Sequence, residues 1–185
     1  MVSNANAQAK TDEKENARIF VQRFYDWYTV LYNADTPGKI QTVSPEAAAL
    51  NKKKECFDTA LREALIEDNK AQAKADEIVG LDSDPFLASQ DNGFAYQTGS
   101  VKQVGNKFLV DVHCDLIGKS RKAILAAEVA VVAEVVKNDG HWIFTNFIYA
   151  DEKGKTDLLT ILSNLAKDRV KWAAEKKRKS KKINN

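Results

Sequence analysis

Apolar residues recur at helical spacing in three parts of the chain. They return every three or four positions over residues 11–32, and a second such stretch covers residues 44–80. The second stretch begins with the letters SPE, which combine a capping serine, a first-turn proline and an acidic residue. A third, leucine-rich stretch begins near Asp157. The pattern therefore predicts three helices, the second with a break near residues 68–69, where its sequence turns polar.

After Gly93 the pattern changes to the alternation that is typical of strands. The four alternating stretches are FAYQTGSVKQVG, NKFLVDVHCDLIG, KAILAAEVAVVAEVVKNDG and HWIFTNFIYA. Hairpin turns are predicted at VGN and at KNDG, the second because of its Asp-Gly pair. The third stretch is long and rich in alanine and valine, which indicates a strand buried on both faces or bent by a bulge. Helices followed by a strand meander predict an α+β fold, with helices packed on one face of an antiparallel sheet.

Length and charge indicate one domain with distinct ends. The 185 residues, 44% of them hydrophobic, suffice for a single core over residues 11–175. The run KKRKSKK within residues 176–185 carries six positive charges, so a net charge of +2 leaves 2 − 6 = −4 for the rest. A mildly acidic body predicts no nucleic-acid surface. The basic tail is interpreted as the solvated end of a helix, and an anionic-surface patch is the alternative.

The N-terminus and the cysteines bear on the compartment. Residues 1–10 contain ANA and AQA, which fit the small-x-small rule of signal-peptidase sites, although no basic or apolar region precedes them. They are interpreted as the remnant of a signal peptide, with a disordered leader as the alternative. We therefore expect a periplasmic or secreted bacterial protein without a membrane anchor. Cys56 and Cys114 permit one disulfide in such a compartment, or remain two free thiols.

The stretch GLDSDPFLASQDNG concentrates polar side chains around one apolar turn. Asp84 before Pro85 is typical of a helix N-cap followed by a first-turn proline, and Phe86 would fix the turn to the core. Asp82 and Asp91 receive no structural role from this interpretation. An EF-hand is excluded, because apolar residues occupy the fifth and sixth positions counted from Asp82.

A second polar group lies in FLVDVHCDL, where alternation places Asp111, His113 and Asp115 on one strand face. A histidine between two carboxylates could act in acid–base chemistry or form half of a metal site. The solvent face of a one-sided sheet explains the same pattern, and we favour it. His141 is the only other imidazole, so no metal site is predicted. Motifs for nucleophilic catalysis or phosphate binding are also absent from the sequence.

Three motifs together carry a resemblance. FYDWY in the first helix, DSDPFLASQD, and WIFTNFIY before the leucine-rich helix resemble a family of small exported bacterial proteins of unknown function, over residues 17–165. That family has the nuclear transport factor 2-like fold, which implies a cone-shaped curved sheet with helices on its concave face. The resemblance implies no reaction and no cofactor. Its signature positions here are Asp82, Asp84, Pro85, Phe86, Gln90 and Asp91. Because capping explains two of them, we favour an architectural role for the motif over a binding role.

The resulting expectation is a non-enzymatic binding module, monomeric or homodimeric, for a small ligand or a protein partner. An inhibitor or immunity-type role fits its size and compartment. The alternative is an isomerase- or dehydratase-type enzyme that uses a carboxylate in the cone cavity, which is an analogy at the level of the fold. The residues considered for binding are Asp82, Asp84, Gln90, Asp91, Asp111, His113 and Asp115.

Overall fold

The computed structural model describes residues 2–33, 43–151 and 154–183. The helices are α1 (Val2–Asn33), α2 (Pro45–Lys52), α3 (Thr59–Gln72), α4 (Arg121–Ile124) and α5 (Leu158–Ile183), with a 3-10 turn at Lys54–Cys56. The strands are β1 (Phe94–Val104), β2 (Lys107–Leu116), β3 (Val129–Asn138), β4 (His141–Asp151) and β5 (Gly154–Asp157). The α+β class is confirmed.

The five strands form one curved antiparallel sheet in the order β1-β2-β3-β4-β5. Register shifts interrupt the first three strand pairs, and such bulges bend and twist a sheet. The predicted Asp-Gly turn joins β3 to β4. Asp139 and Gly140 both have positive φ there, 48° and 82°, as a type I′ hairpin requires.

Strand alternation places the core on one face of the sheet. In β2, Phe108, Val110 and Val112 are buried, while the residues between them are partly exposed on the other face. Each of these buried residues pairs with a buried neighbour on β3, and the cluster continues into α1 and α3. Within the described residues, none of the helices is both long enough and apolar enough to cross a membrane.

Helix α1 also protects the exposed edge of β1. The Gln22 side chain accepts a hydrogen bond from the Thr98 backbone N–H at 2.7 Å and donates one to the Tyr96 carbonyl at 3.2 Å. One amide side chain thus occupies the position that a neighbouring strand would take. Because these two backbone groups of the edge strand are already hydrogen-bonded, they cannot pair with a strand of another chain.

A partly buried ion pair connects α5 to the middle of the chain. Arg169 Nη1 lies 2.5 Å from Asp68 Oδ1 and 3.0 Å from the Val79 carbonyl oxygen. Asp68 also accepts from the Leu81 backbone N–H at 2.9 Å. A Cβ at Gly80 would lie 2.7 Å from Asp68 Oδ2, so only glycine lets the backbone approach this closely. The polar end of α3 is therefore an anchoring point for α5.

Three element predictions need correction. The second helix breaks at residues 53–58 and not near residues 68–69, because Asp58 caps a new helix through the Ala60 N–H at 2.9 Å. The start of the predicted third strand is helix α4, capped by Ser120. Strand β5 was not predicted. Helix α1 extends back to Val2 and α5 extends through the basic run to Ile183, while the interpretation of residues 1–10 as a leader stays a prediction.

Candidate functional site

The motif loop, residues 82–91, is built around the predicted cap. The backbone N–H groups of Phe86 and Leu87 donate to Asp84 Oδ1 at 2.9 and 3.0 Å. The Ala88 N–H donates to the Asp84 carbonyl at 2.9 Å and closes a single helical turn. The turn ends at Ala88, whose φ of 51° is left-handed, and not at residues 92–93 as the sequence predicted. Asp84 then donates its own N–H to the Ser89 carbonyl at 3.0 Å.

Tyrosine hydroxyls supply the remaining hydrogen bonds of this loop. The chain has five tyrosines, and all five hydroxyls donate to residues 84–89. Four of them bond backbone carbonyl oxygens: Tyr25 to Phe86 at 2.6 Å, Tyr149 to Pro85 at 2.6 Å, Tyr96 to Leu87 at 3.2 Å and Tyr32 to Ser89 at 3.4 Å. The fifth, Tyr28, donates to the Asp84 carboxylate. A buried turn cannot use a sheet ladder for its carbonyls, so these side chains provide the missing donors.

The Phe86 ring fixes the turn to the core, as the sequence predicted. It is fully buried and contacts four other rings with centroid distances of 5.1–5.5 Å. Those rings belong to Phe24, Tyr28, Phe57 and Phe147. They come from α1, the segment before α3, and β4. The motif loop is therefore a joint between the helical layer and the sheet.

Two carboxylates near this joint have unusual protonation equilibria. Burial raises the pKa of Asp84 to about 6, although hydrogen bonds from Tyr28 and from the Phe86 and Leu87 amides act in the opposite direction. Burial likewise raises the pKa of Glu46 to about 8, and the negative charge of Asp84 adds to the effect. The Asn69 amide donates to Glu46 at 3.0 Å and partly compensates. Both groups retain protons at higher pH than ordinary carboxyls.

The other polar residues of the motif point away from any shared site. Asp82, Gln90 and Asp91 are exposed. The Gln90 side chain donates to the Asp82 carbonyl at 2.8 Å, and the Asp91 N–H donates to Ser89 Oγ at 3.0 Å. The first bond joins the two ends of the loop and the second lies within its last residues, so both serve the geometry of the turn.

The strand-face group lies on the sheet face opposite the core, as alternation predicted. His113 Nδ1 lies 2.8 Å from the Ala127 carbonyl, so this nitrogen carries the hydrogen. Ser100 donates to Asp111, and Asp115 accepts from the Leu116 backbone N–H at 2.7 Å. His113 also packs against Gly99, where a Cβ would lie 2.5 Å from Nε2. Each side chain has its own local partner, and the three do not converge.

The sheet divides next to the motif loop. Pairing between β3 and β4 ends at Val132 with Ile148, although β3 begins at Val129 and β4 continues to Asp151. Beyond that pair, β4 continues to pair with β5, while β3 continues to pair with β2. The two strand ends are therefore separated, and a gap lies between them.

Three clefts surround this gap, and Tyr149 lines all of them. The inner cleft, on the core side, has a volume of about 400 Å³. Its walls are Leu87, Ala88, Ser89, Phe94, Tyr96, Cys114, Glu128, Val129, Ala130, Tyr149 and Ala150. The outer cleft, about 240 Å³, includes Asp111 and Val132, and the loop cleft, about 220 Å³, includes Asp84 and Pro85. The motif loop thus forms one wall of a concave region beside the sheet.

Both cysteines are free thiols in the structure, so they do not form the disulfide that the sequence permitted. Burial raises the pKa of each thiol, with nearby Glu55 or Asp115 adding to the effect. Cys114 lines the inner cleft in its thiol form. Over the described ranges, no group of three or more His, Cys, Asp or Glu side chains is placed to hold a metal ion.

Sequence reasoning missed the residues that form the inner cleft. Tyr96, Val129, Ala130 and Tyr149 occur in ordinary strand patterns, and only the separation of β3 from β4 brings them together. The concentration of aromatic residues in FYDWY, with its two tyrosines, was the available signal that the motif loop would be buried.

Compared with protein-family models, with curated proteins and with solved structures, the chain matches none of them. The resemblance to an exported bacterial family therefore stays a prediction carried by the three motifs alone.

Proposed function

We propose that the protein is a non-enzymatic binding module that holds a small, largely apolar ligand in the inner cleft. The observation that carries the proposal is the cleft of about 400 Å³ at the divided end of the sheet, with the motif loop as one of its walls. Its volume lies in the range that small-molecule sites occupy. Its walls are mainly aliphatic and aromatic, with few polar groups, which is the usual composition of such sites.

The motif loop would serve this function as a rigid wall. Four tyrosine hydroxyls bond its backbone carbonyls, a fifth bonds the Asp84 carboxylate, and the buried Phe86 ring anchors it to the core. A preformed wall loses little conformational entropy when a ligand binds, and affinity benefits accordingly. This division of roles supports the architectural interpretation of the motif, and binding would fall to its neighbours.

We extend the proposal to the fold family. The order of helices before a curved antiparallel meander, with the motif loop between them, is what the nuclear transport factor 2-like resemblance implies. In such a fold the inner cleft would be the open end of the cone. The exported location predicted from residues 1–10 is part of the same proposal.

Filling the cleft tests the proposal directly. Ala130→Phe places a ring in the inner cleft, whereas Ala75→Phe places the same ring in a separate groove beside α5. Nile red, a neutral apolar dye, is titrated into the wild type and both variants while its fluorescence is recorded. We expect saturable binding to the wild type and to Ala75→Phe, and at least about tenfold weaker binding to Ala130→Phe.

Two results would overturn this proposal. The first is equal loss of dye binding in both variants, which would indicate nonspecific apolar surface. The second is unchanged binding in Ala130→Phe together with an unchanged melting temperature, which would place the dye elsewhere.

The alternative function is an isomerase- or dehydratase-type enzyme, and one observation favours it. Asp84 lines the loop cleft and its pKa of about 6 suits a general base or acid near neutral pH. Its oxygens, however, accept hydrogen bonds from two backbone amides and Tyr28. A substrate would have to displace one of these donors, so the binding module is the better supported function.

A further inference from the structure

The clefts around the divided sheet share one electrostatic feature. Each of the three is lined by one carboxylate: Glu128 in the inner cleft, Asp111 in the outer cleft and Asp84 in the loop cleft. Among the described residues, their linings contain no lysine, arginine or histidine. The groove beside α5 differs, because three cationic side chains line it together with two carboxylates: Lys74, Arg169, Lys176, Asp76 and Glu77.

From this arrangement we propose that the ligand of the inner cleft is a cation: an apolar, ring-sized body that carries an ammonium group. The inference rests on the proposed function, because it assigns a ligand class to the same cleft. The apolar body would lie against Leu87, Phe94 and Val129. The ammonium group would lie at the gap between β3 and β4, towards Glu128 and Asp111.

The aromatic walls suit the same ligand class. Tyr149 stands where the three clefts meet, and Tyr96 lines the inner cleft beside it. Their hydroxyls are occupied by the motif loop, which leaves ring surface as the contact they offer a ligand. A ring face attracts a cation through its quadrupole. An anion would meet a carboxylate and ring faces, which both repel it, and no cationic side chain in these linings.

Two of the three carboxylates are fixed by local hydrogen bonds. Ser100 donates to Asp111, and the Asp84 cap is fixed by two backbone amides. Glu128 is exposed at the rim, immediately before β3 begins at Val129. An exposed carboxylate and an ammonium group attract each other with an energy equivalent to about fivefold in affinity, and a partly screened second carboxylate adds to this.

Three probes of one shape test the charge preference: naphthylmethylamine, naphthylmethanol and naphthoate. Each is titrated into the full chain at low salt while backbone amide chemical shifts are followed by NMR. We expect the amine to bind about tenfold more tightly than the alcohol, the carboxylate to bind weakest, and the shifts to centre on residues 128–130 and 149–150. Added salt should reduce the preference for the amine and leave the alcohol unchanged.

A charge-removing variant identifies the source of the preference. In Glu128→Gln/Asp111→Asn the amine-to-alcohol ratio should fall from about tenfold to about twofold, with little change for the alcohol. Glu63→Gln removes the charge of an exposed glutamate on α3 that lines none of the clefts, and it should keep the full ratio.

The outcomes separate this inference from the proposed function. Equal affinities for the amine and the alcohol, or tightest binding of naphthoate, would overturn the cation assignment while the cleft remains a binding site. An unchanged ratio in the double variant would also overturn it. If none of the three probes shows saturable shifts at the cleft, the proposed function falls together with the inference.

Discussion

Two polar stretches of the chain look alike in sequence and behave differently in the structure. The motif loop has four acidic or amide side chains, and the outer face of β2 has Asp111, His113 and Asp115. In the loop, the central carboxylate is held by backbone amides and a tyrosine, and the ring beside it is fully buried. On the strand, each group makes one local bond at a partly exposed surface.

The difference shows that the density of polar groups does not by itself indicate a chemical site. Polar side chains in the loop satisfy a backbone that leaves regular structure inside the protein, where an unpaired amide or carbonyl is costly. Polar side chains on the strand face water and need no such partner. Removing a side chain from the loop should therefore cost more stability than removing one from the strand face. Four measurements test this comparison.

The largest effect is expected at the ring that anchors the loop. Phe86→Ala removes a fully buried ring that contacts four others and should lower the free energy of unfolding by about 3–5 kcal/mol. Phe94→Ala makes the same change at a partly buried cleft position and should cost about half as much. Urea denaturation gives both values. Equal losses would show that the loop is no better anchored than the cleft wall.

The next effect separates hydrogen bonding from charge at Asp84. Asp84→Ala leaves two backbone amides and the Tyr28 hydroxyl without their acceptor and should cost about 2–3 kcal/mol. Asp84→Asn keeps an acceptor for the amides and removes a charge that burial disfavours, so its cost should be below about 1 kcal/mol. A large loss in both variants would mean that the charge itself is required, which would strengthen the enzyme alternative.

The sequence predicted this joint well because its signals are local. The cap, the first-turn proline and the apolar residue that follows lie within three positions, and each has one dominant physical explanation. Strand alternation in β2 was predicted correctly for the same reason. The start of the third strand was wrong, because AILAA is a short apolar run that fits a helix or a strand, and the capping Ser120 decides between them.

The inner cleft could not be predicted from such local signals. It exists because β3 and β4 stop pairing at Val132 and Ile148, and this separation is a property of the whole sheet. The five tyrosines are spread over residues 25–149. No periodicity relates them to one another, and only the fold shows that they share one acceptor loop.

A third, smaller effect depends on pH. The pKa of Glu46 rises from 4.5 to about 8 in the folded protein, so the native state holds a proton that the unfolded chain has released. Stability from this group is therefore present at low pH and is lost as the pH rises from about 5 to about 8. Asp84, with its pKa of about 6, adds a loss at the lower end of this range.

Glu46→Gln removes this proton equilibrium and keeps an acceptor for Asn69. Relative to the wild type, the variant should gain about 1–2 kcal/mol at about pH 9 and change little at about pH 5, as measured by urea denaturation. Glu63→Gln on the exposed face of α3 is the control and should be neutral at both values. The opposite result is a wild-type stability that rises between about pH 5 and about pH 9, with the same rise in Glu46→Gln. It would mean that Glu46 is charged in the native state.

The smallest effect is expected on the strand face, where the substitution used at Asp84 can be repeated. Asp115 is partly exposed and accepts one bond, from the backbone N–H of the next residue, which water can replace. Asp115→Ala should therefore change the free energy of unfolding by less than about 0.5 kcal/mol, against about 2–3 kcal/mol for Asp84→Ala. Both variants are measured in one set of urea curves. Should Asp115→Ala prove as costly as Asp84→Ala, the strand face would carry structural hydrogen bonds of its own, and its description as a water-facing surface would be wrong.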